Sequence, residues 1–359
     1  MSLSHSNRIK QLIEHWYRHS ENPSHEETLQ EDFNFSEETI LITGAAGTIG
    51  SGLTKRLINS TCQSLILIDN AETPLYFLKK EYKSSTTENI HFVLADIRDA
   101  YAMKQLFEVH QPTMVFHTAA YKHVSMMESN PYEAIKLNIL ATKQLAELAI
   151  IQNVHKFIFI STDKAVNPIS VMGMTKRIGE LYLSGLNKTS STSFLIARFG
   201  NIIGSNGSLL PLFNKQIKKG LPLTITSHKV TRYFIQKSKA CELILKIAED
   251  HHWKHYLFTF NMGKPIKIIE LAKQFLKLTG SDVASTIKII GLKPGEKEHE
   301  DLTAENEVLE PSHIENILYV KNKSNVSSDA INLELIETLL AYKKPDEIKM
   351  LLKKLVNQN

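Results

Sequence analysis

The segment Ser161-Thr162-Asp163-Lys164 places two hydroxyls, a carboxylate and an amine side by side, directly after the apolar run Phe157–Ile160. Carboxyl and amine groups transfer protons to and from reacting atoms, so these residue types suit general acid–base catalysis. In open α/β sheets, ligands bind at the carboxyl ends of the strands, and this segment lies there if the apolar run is a strand. It is therefore the first candidate for catalysis, and a surface ion pair beside a turn is the alternative.

Met172 and Lys176 follow in a segment that opens a predicted helix after Asn167-Pro168. In short-chain dehydrogenases, a tyrosine at the first of these two positions is the catalytic base, and the lysine lowers its pKa. A thioether cannot accept a proton. The chain is therefore either a non-catalytic dinucleotide-binding protein or an enzyme whose acid–base groups lie elsewhere.

A glycine-rich turn, with Gly44, Gly47 and Gly50, follows the apolar run Ile40–Thr43 and precedes a helical stretch. Glycines let the backbone approach a pyrophosphate, and the amino end of a helix supplies free amides to bind it. Asp69 ends the second apolar run, where a carboxylate binds ribose hydroxyls and repels a 2′-phosphate. The spacing G-x-x-G-x-x-G is that of the extended short-chain dehydrogenases. We expect NAD rather than NADP, and a tight turn that binds nothing is the alternative.

Two further strand ends carry candidate cofactor contacts. Asp96 and Ile97 close the third apolar run, where they would meet the adenine, although Asp96 could equally be a helix cap. After the fourth run, small side chains at Ala119 and Ala120 would let the nicotinamide half lie close to the backbone. The flanking histidines, at positions 117 and 123, are expected to line the cofactor groove.

Six apolar runs, separated by stretches that can form helices, predict strands in the first 200 residues. Such a pattern indicates a parallel sheet with helices on both faces, so we predict a Rossmann-type, doubly wound α/β fold. The alternation is lost after about Gly200, which predicts a smaller C-terminal substrate-binding lobe. The predicted units are a helical appendage (1–38), an NAD-binding domain (39–200), a nucleotide-sugar lobe interleaved with the sheet (201–325) and a helical tail (326–359). The runs are Ile40–Thr43, Leu65–Ile68, His91–Leu94, Met114–Phe116, Phe157–Ile160 and Phe194–Ala197.

The composition excludes several classes of protein. A net charge of +4, with basic residues spread along the chain, gives no basis for nucleic-acid binding. Cys62 and Cys241 have neither disulfide nor metal-ligand spacing, and no apolar run reaches the roughly 18 residues of a membrane span. The cluster His251, His252 and His255 lacks acidic or cysteine partners, so no metal site is predicted. We expect a cytoplasmic protein.

Several motifs resemble, in order and spacing, those of the UDP-N-acetylglucosamine 4,6-dehydratases of bacterial polysaccharide biosynthesis. They are "HTAAYKHVSMMESNP", "STDKAVNPISVMGMTKR", "RFGNIIGSNGSLLPLF", "VTRYF", "FNMGKPIKIIELA" and "GLKPGEKEHE". The resemblance covers about Thr39 to Ile317 and implies NAD as cofactor and a UDP-N-acetyl-hexosamine as substrate. Helices with methionine, as in this chain, resemble the branch that retains configuration at sugar carbon 5, whereas a tyrosine resembles the inverting branch.

The resemblance also implies roles for individual residues. Lys164 is the candidate base for the carbon 5 proton and Asp163 the candidate acid for the carbon 6 hydroxyl. The group that deprotonates the 4-hydroxyl stays open among Thr162, Asp163 and a bound water. The implied catalytic set is Asp163, Lys164, Thr162, Met172 and Lys176. The implied cofactor set is Gly44, Gly47, Thr48, Ile49, Gly50, Asp69, Asn70, Asp96, Ile97, Ala119, Ala120, Tyr121, Asn138, Ser161, Lys176 and Phe199. The implied substrate set is Lys122, His123, Asn201, Ser208, Leu209, Thr224, Arg232, Lys293 and Glu296.

Three other functions remain open from the sequence. Two are enzymes of the same fold, a dehydratase that inverts carbon 5 and a UDP-sugar 4-epimerase. The third is a non-catalytic NAD-binding sensor, which Met172 keeps possible, although the joint presence of Asp163, Lys164 and Lys176 argues against it. The family resemblance further implies a homo-oligomer, to which the N-terminal helix could contribute.

Overall fold

The six apolar runs form neighbouring strands of one parallel sheet, which confirms the predicted doubly wound fold. The computed structural model describes residues 5–21, 33–58, 60–82, 89–280, 287–323, 336 and 344–357. The strands are β1 (Thr39–Thr43), β2 (Ser64–Asp69), β3 (Ile90–Leu94), β4 (Met114–His117), β5 (Lys156–Thr162), β6 (Ser193–Phe199), β7 (Asn201–Ile202), β8 (Leu223–Ile225), β9 (Thr231–Arg232), β10 (Phe234–Ile235), β11 (Leu257–Phe260), β12 (Ile266–Lys267), β13 (Ile287–Ile289), β14 (Glu307–Pro311) and β15 (Ile317–Asn322).

Helices cover both faces of this sheet and build the second lobe. They are α1 (His5–Glu21), α2 (Thr48–Leu57), α3 (Glu72–Glu81), α4 (Ala100–His110), α5 (Val124–Ser129), α6 (Pro131–Ile135), α7 (Ala141–Ile151), α8 (Val171–Leu186), α9 (Leu209–Lys218), α10 (Lys237–Glu249), α11 (Ile268–Leu278) and α12 (Pro345–Asn357). A π-helical segment, Lys136–Leu140, joins α6 to α7, and a 3-10 turn, Asp163–Ala165, follows β5. Among the described helices, none combines the length and the apolar content that a bilayer span requires.

The main sheet has the strand order β14-β15-β11-β6-β5-β4-β1-β2-β3. The chain proceeds from β1 towards one edge and then returns to the other side of β1 with β4, so a crevice forms at the carboxyl ends of these two strands. β11 extends the parallel part, whereas β14 and β15 add an antiparallel edge. Residues after 200 therefore contribute both to the sheet and to the lobe, and the boundary at residue 200 stays a prediction.

Alternate residues of the central strands pack against opposite helical layers. Ile40 and Ile42 of β1 belong to the cluster with α2 and α10, whereas Leu41 belongs to the cluster with α4 and α7. Side chains of a strand point to opposite faces in alternation, so an entirely apolar strand requires a covering layer on each side. This explains why the runs are continuous rather than alternating.

The N-terminal helix α1 docks on the second lobe. Ile9, Leu12 and Ile13 are buried in one cluster with residues of α9 and α11, as the helical spacing of these apolar residues predicts. Trp16 packs so closely on Gly204 that a Cβ there would lie 2.0 Å from its Cδ1. Helix α1 therefore supports the loop that contains Gly204, and this loop lines the cavity of the candidate active site.

Candidate active site

A cavity of about 510 Å³ lies at the carboxyl ends of β5 and β6 and against the first turn of α2. Both lobes contribute to its walls, as expected for a ligand site at the crevice of a doubly wound sheet. Predicted site residues that line it are Gly47, Thr48, Ile49, Ala120, Tyr121, Lys122, His123, Ser161, Thr162, Lys164, Met172, Lys176, Phe199, Asn201, Ser208 and Leu209. Predicted site residues outside this lining are Gly44, Gly50, Asp69, Asn70, Asp96, Ile97, Ala119, Asn138, Asp163, Thr224, Arg232, Lys293 and Glu296.

Two glycines of the glycine-rich turn have no room for a side chain. Gly44 has a φ of +66°, and a Cβ there would lie 2.8 Å from backbone atoms of Ala119. A Cβ at Gly50 would lie 2.1 Å from the Gly44 carbonyl oxygen. Helix α2 begins at Thr48, and no side chain in the described part of the chain caps its first amides, which are thus available to an anion. These features fit a bound dinucleotide pyrophosphate.

Asp69 is fixed in orientation by the same turn. Its Oδ2 accepts a hydrogen bond from the Ala46 amide, and its Oδ1 accepts one from the Ala71 amide, both at 2.9 Å. Each carboxylate oxygen keeps a further lone pair for a ligand hydroxyl. The arrangement suits recognition of a ribose diol beside the pyrophosphate turn.

Asp96, which follows β3, forms an ion pair with Arg98. The guanidinium donates to both carboxylate oxygens, with distances of 3.0 Å to Oδ1 and 2.6 Å to Oδ2, and these hydrogen bonds lower the pKa of Asp96. Asn70 also donates to this carboxylate, at 3.4 Å. The cap of α4 is Asp99, whose side chain accepts from the Ala102 amide, so the reading of Asp96 as the helix cap is wrong.

Asn138 lies in the π-helical segment and is buried behind the loop that follows β4. Its Oδ1 accepts from the Tyr121 amide, and its Nδ2 donates to the Tyr121 carbonyl and to Thr175 Oγ1. Single π-helical turns often mark functional sites, because they redirect one side chain. In this structure Asn138 positions Tyr121, which itself lines the cavity.

His117 does not line the cofactor groove. Its ring is buried between two hydroxyls, with Nδ1 2.8 Å from Thr43 Oγ1 and Nε2 2.9 Å from Thr142 Oγ1. Burial, reinforced by the charge of Lys176, lowers its pKa to about 3, so the ring is neutral at physiological pH. His123, in contrast, is part of the cavity wall.

Asp163 forms the buried end of the catalytic segment. Its Oδ1 accepts hydrogen bonds from Thr162 Oγ1 and from Lys164 Nζ, each at 2.9 Å. Its Oδ2 is buried and has no hydrogen-bond partner among the residues that the structure describes. A Cβ at Gly200 would lie 3.2 Å from this oxygen, so glycine leaves space beside it.

The Lys164 side chain extends from this carboxylate to the cavity. Its Nζ also donates to Asn201 Oδ1, at 3.1 Å, and lies 3.9 Å from Glu300 Oε1. Glu300 was not among the predicted site residues. The only signal for it in the sequence was its place as the last residue of the motif "GLKPGEKEHE".

Met172 and Lys176 occupy successive turns of α8, near Asp163 and Lys164. Met172 is buried and lines the cavity, at the sequence position where short-chain dehydrogenases carry a tyrosine. Lys176 Nζ lies 3.7 Å from the centre of the Phe159 ring. Burial lowers the pKa of Lys176 to about 7, although Glu180 opposes the change.

Ser161 connects the cavity to a buried ionic network. Its hydroxyl donates to Glu180 Oε1 at 2.5 Å. Arg198, which is fully buried, donates to Glu180 Oε2 at 2.7 Å and to Glu307 Oε2 at 2.8 Å. Arg198, near the end of β6, is thus a buried cation that pairs with two carboxylates behind the cavity wall.

The second lobe contributes a candidate anion-binding wall. Ser208 is the N-cap of α9, and its hydroxyl is buried without a hydrogen-bond partner within the described part of the chain. Lys122 Nζ donates to the Asn206 carbonyl at 2.8 Å, and a Cβ at Gly207 would lie 2.8 Å from the His123 ring. A helix amino end, a free hydroxyl and a lysine suit a diphosphate.

Three predicted substrate residues form contacts within the neighbouring loop around Glu296, and a fourth, Thr224, bonds α9. Arg232 donates to Glu296 Oε1 at 3.2 Å and to the Lys297 carbonyl at 2.8 Å. Glu296 Oε2 accepts from the Lys293 amide, and the Lys293 side chain is exposed. Thr224 Oγ1 accepts from a glutamine of α9. Their predicted contacts with the nucleotide stay predictions.

Comparisons with known proteins agree with this architecture. A family model described as "polysaccharide biosynthesis protein" matches residues 40–322. The capsular polysaccharide biosynthesis protein CapD of Staphylococcus aureus is 42% identical over 277 residues, which are 76% of this chain and 46% of that protein. A UDP-glucose 4-epimerase of Rickettsia rickettsii is 32% identical over 284 residues, which are 76% of this chain and 80% of that protein. This chain thus spans about half the length of CapD.

One solved structure is similar over nearly its whole length. The X-ray structure of Pen from Bacillus thuringiensis has a TM-score of 0.72 and 27% identity, and the similarity covers 85% of this chain and 99% of that one.

Proposed function

Because the chain belongs to the polysaccharide biosynthesis protein family, we propose that it is an NAD-dependent 4,6-dehydratase of UDP-N-acetylglucosamine that retains configuration at sugar carbon 5. The observation that carries this proposal is the Asp163-Lys164 pair. Within the described residues, the carboxylate has a buried oxygen without a hydrogen-bond partner, and the amine belongs to a residue that lines a cavity of about 510 Å³. The product would be a 4-keto-6-deoxy sugar nucleotide for surface glycan synthesis.

The glycine turn and Asp69 would bind NAD, and the residues present fit that group. When bound, NAD supplies the site that takes a hydride from sugar carbon 4 and returns it to carbon 6. Lys176 lies on the cavity wall beside Phe159, where its ammonium would lie near the nicotinamide half. The anion-binding wall at Ser208 would bind the UDP diphosphate.

Lys164 is proposed as the base at carbon 5. Its Nζ takes the carbon 5 proton, and the electrons of that C–H bond form the C5=C6 double bond as the carbon 6 hydroxyl leaves. The same ammonium can then return a proton to carbon 5 from the same face, which gives retention. Hydrogen bonds to Asp163 and Asn201 fix the position of the amine for both steps.

Asp163 is proposed as the proton carrier for the two oxygens. The Thr162 hydroxyl lines the cavity and donates its hydrogen to Asp163 Oδ1, so it can pass the proton of the 4-hydroxyl to the carboxylate. Asp163 then delivers this proton to the departing carbon 6 hydroxyl. The released water thus contains the carbon 6 oxygen and the proton of the 4-hydroxyl, and no other acid is consumed. For deprotonation of the 4-hydroxyl, this assignment favours Thr162 and Asp163 over a bound water.

A product assay tests this function. Purified protein is incubated with UDP-N-acetylglucosamine, and the sugar is followed by mass spectrometry and NMR. We expect loss of one water with carbon 5 unchanged. Loss of water with inverted carbon 5 would show an inverting dehydratase, and an isomer of unchanged mass would show a 4-epimerase. The similarity to the Rickettsia rickettsii protein makes the epimerase the second candidate.

Substitution of Asp69 tests the cofactor assignment. Asp69→Ala removes two charged acceptors that would bind the ribose diol, and a hydrogen bond to a charged group contributes about 1.5–3 kcal/mol. We expect NAD affinity to fall by roughly 10- to 100-fold, and discrimination against NADP to weaken, in titrations of the dinucleotide-free protein. Glu72→Ala, at an exposed position in the first turn of α3, is the matched control. Equal NAD affinity in both variants would remove Asp69 from the cofactor site.

A further inference from the structure

Glu300 is a second buried carboxylate beside Lys164. Its side chain is 4% exposed, and its Oε1 lies 3.9 Å from Lys164 Nζ, which is too long for a hydrogen bond. Its Oε2 is buried and has no hydrogen-bond partner in the described ranges. Lys164 is thus flanked by two carboxylates, and each of them has one oxygen without a hydrogen-bond partner among the described residues.

Four charged groups face Glu300. Lys164 and Asp163 lie on the turn after β5, Arg232 lies on β9, and Lys297 precedes Glu300 in the same loop. Burial raises the pKa of Glu300, Asp163 reinforces the increase, and the three cations oppose it. Oδ1 of Asp163 already accepts two hydrogen bonds, one of them from Lys164 Nζ, whereas Glu300 Oε1 lies beyond hydrogen-bond distance of that amine. Glu300 is therefore a place where a proton from Lys164 can be held.

We propose that Glu300 accepts the proton of Lys164, so that the lysine enters the reaction as a neutral amine. The inference rests on the function proposed above. When the two groups close from 3.9 Å to hydrogen-bond distance in the substrate complex, the proton moves from Lys164 Nζ to Glu300 Oε1, and the nitrogen lone pair that remains takes the proton from carbon 5. After this proton has returned to carbon 5, Lys164 is neutral again, and Glu300 keeps its proton through the cycle. Glu300 acts through Lys164 and is a positioning residue.

This arrangement has a distinct pH dependence. While Lys164 and Glu300 together hold one proton, the fraction of neutral lysine depends on the relative proton affinities of the two groups. It does not depend on the pH of the solvent. The rate of dehydration should therefore be nearly independent of pH around neutrality. Without the carboxylate, Lys164 must lose its proton to solvent, and the rate should rise about tenfold for each pH unit until the amine is neutral.

The test compares Glu300→Gln with Glu298→Gln. Glutamine keeps the shape of the side chain and cannot store the proton. Glu298 is in the same loop, but its carboxylate binds Ser227 instead of Lys164, which makes it the matched control. Water loss from UDP-N-acetylglucosamine is measured across neutral and alkaline pH for the wild type and both variants, together with the thermal unfolding midpoint and the content of bound dinucleotide.

We expect Glu300→Gln to lose roughly 10- to 100-fold of the rate at neutral pH, to regain it as pH rises, and to keep its dinucleotide. Glu298→Gln should match the flat profile of the wild type. A loss that no pH restores, or a flat profile in Glu300→Gln, would overturn the role of Glu300 while leaving the proposed function intact. Absence of dehydration by the wild type would overturn the function and this role together.

Discussion

Replacing Lys164 by alanine is expected to lower the rate of dehydration by about 10³- to 10⁴-fold while the protein keeps its dinucleotide. General acid–base groups contribute rate factors of about 10² to 10⁴, and this lysine would act twice at carbon 5. Asp69 is held by the amides of Ala46 and Ala71 and not by Lys164, so cofactor binding should be unchanged. Rates are measured as water loss from UDP-N-acetylglucosamine, and bound NAD is measured after denaturation of the protein.

Lys164→Arg separates proton transfer by Lys164 from the effect of its positive charge, and Lys188→Ala is the control. Lys164→Arg keeps a cation near Asp163 and Asn201, but a guanidinium does not give up its proton in proteins, so activity should remain low. Lys188→Ala removes an exposed lysine that follows the end of α8 and does not line the cavity, so it should leave the rate unchanged. Normal turnover by Lys164→Ala would show that another group is the base. Loss of NAD from Lys164→Ala would show that the lysine stabilises the cofactor site instead.

Local sequence patterns were sufficient for the nucleotide half of the site. The turn from Gly44 to Gly50 follows directly from a strand and leads directly into a helix, so neighbouring residues determine its geometry. Asp69 was predictable for the same reason, since it ends the adjacent strand and its carboxylate accepts an amide of the turn. The position of the Thr162–Lys164 segment at the edge of the cavity was also predictable, because parallel strands bring their carboxyl ends to one edge.

Contacts between distant segments could not be read from spacing. Glu300 reaches Lys164 only because the loop that Arg232 organises packs over the end of β5. His117 ends β4, and the alternation of the strand directs its ring into the buried layer instead of the groove. Asn138 reaches Tyr121 through a π-helical turn, which no periodicity of apolar residues indicates.

Replacing Arg198 by methionine is expected to reduce the free energy of unfolding by about 3–5 kcal/mol, since removing one partner of a buried ion pair leaves uncompensated charge. Arg198 bonds two buried carboxylates, those of Glu180 and Glu307. Arg177 lies 3.1 Å from the first and 3.5 Å from the second, so it compensates part of the loss. Urea unfolding followed by circular dichroism measures the change.

A triple variant separates loss of charge pairing from loss of packing. Arg198→Met combined with Glu180→Gln and Glu307→Gln removes the unpaired charges together with the cation, and should regain a large part of the stability. If the triple variant is no more stable than Arg198→Met alone, packing of the Arg198 side chain, and not its charge, stabilises this layer. Because Ser161 donates to Glu180, the single variant should also disturb the cavity wall.

The pH dependence of stability gives an independent test of the same network. The Glu180 carboxyl is buried, which by itself would raise its pKa, but Arg198 and Arg177 overcome this effect and lower the pKa from 4.5 to about 2. A carboxyl with a lowered pKa in the folded state contributes stability above its ordinary pKa, and that stability is lost as pH falls from about 4.5 towards 2. In Arg198→Met, burial prevails, and Glu180 should take up a proton at higher pH. The difference in stability between wild type and variant should therefore be largest near neutral pH and should shrink as the solution is acidified. A difference that is constant across this range would show that Arg198 does not stabilise the fold through the charge of Glu180.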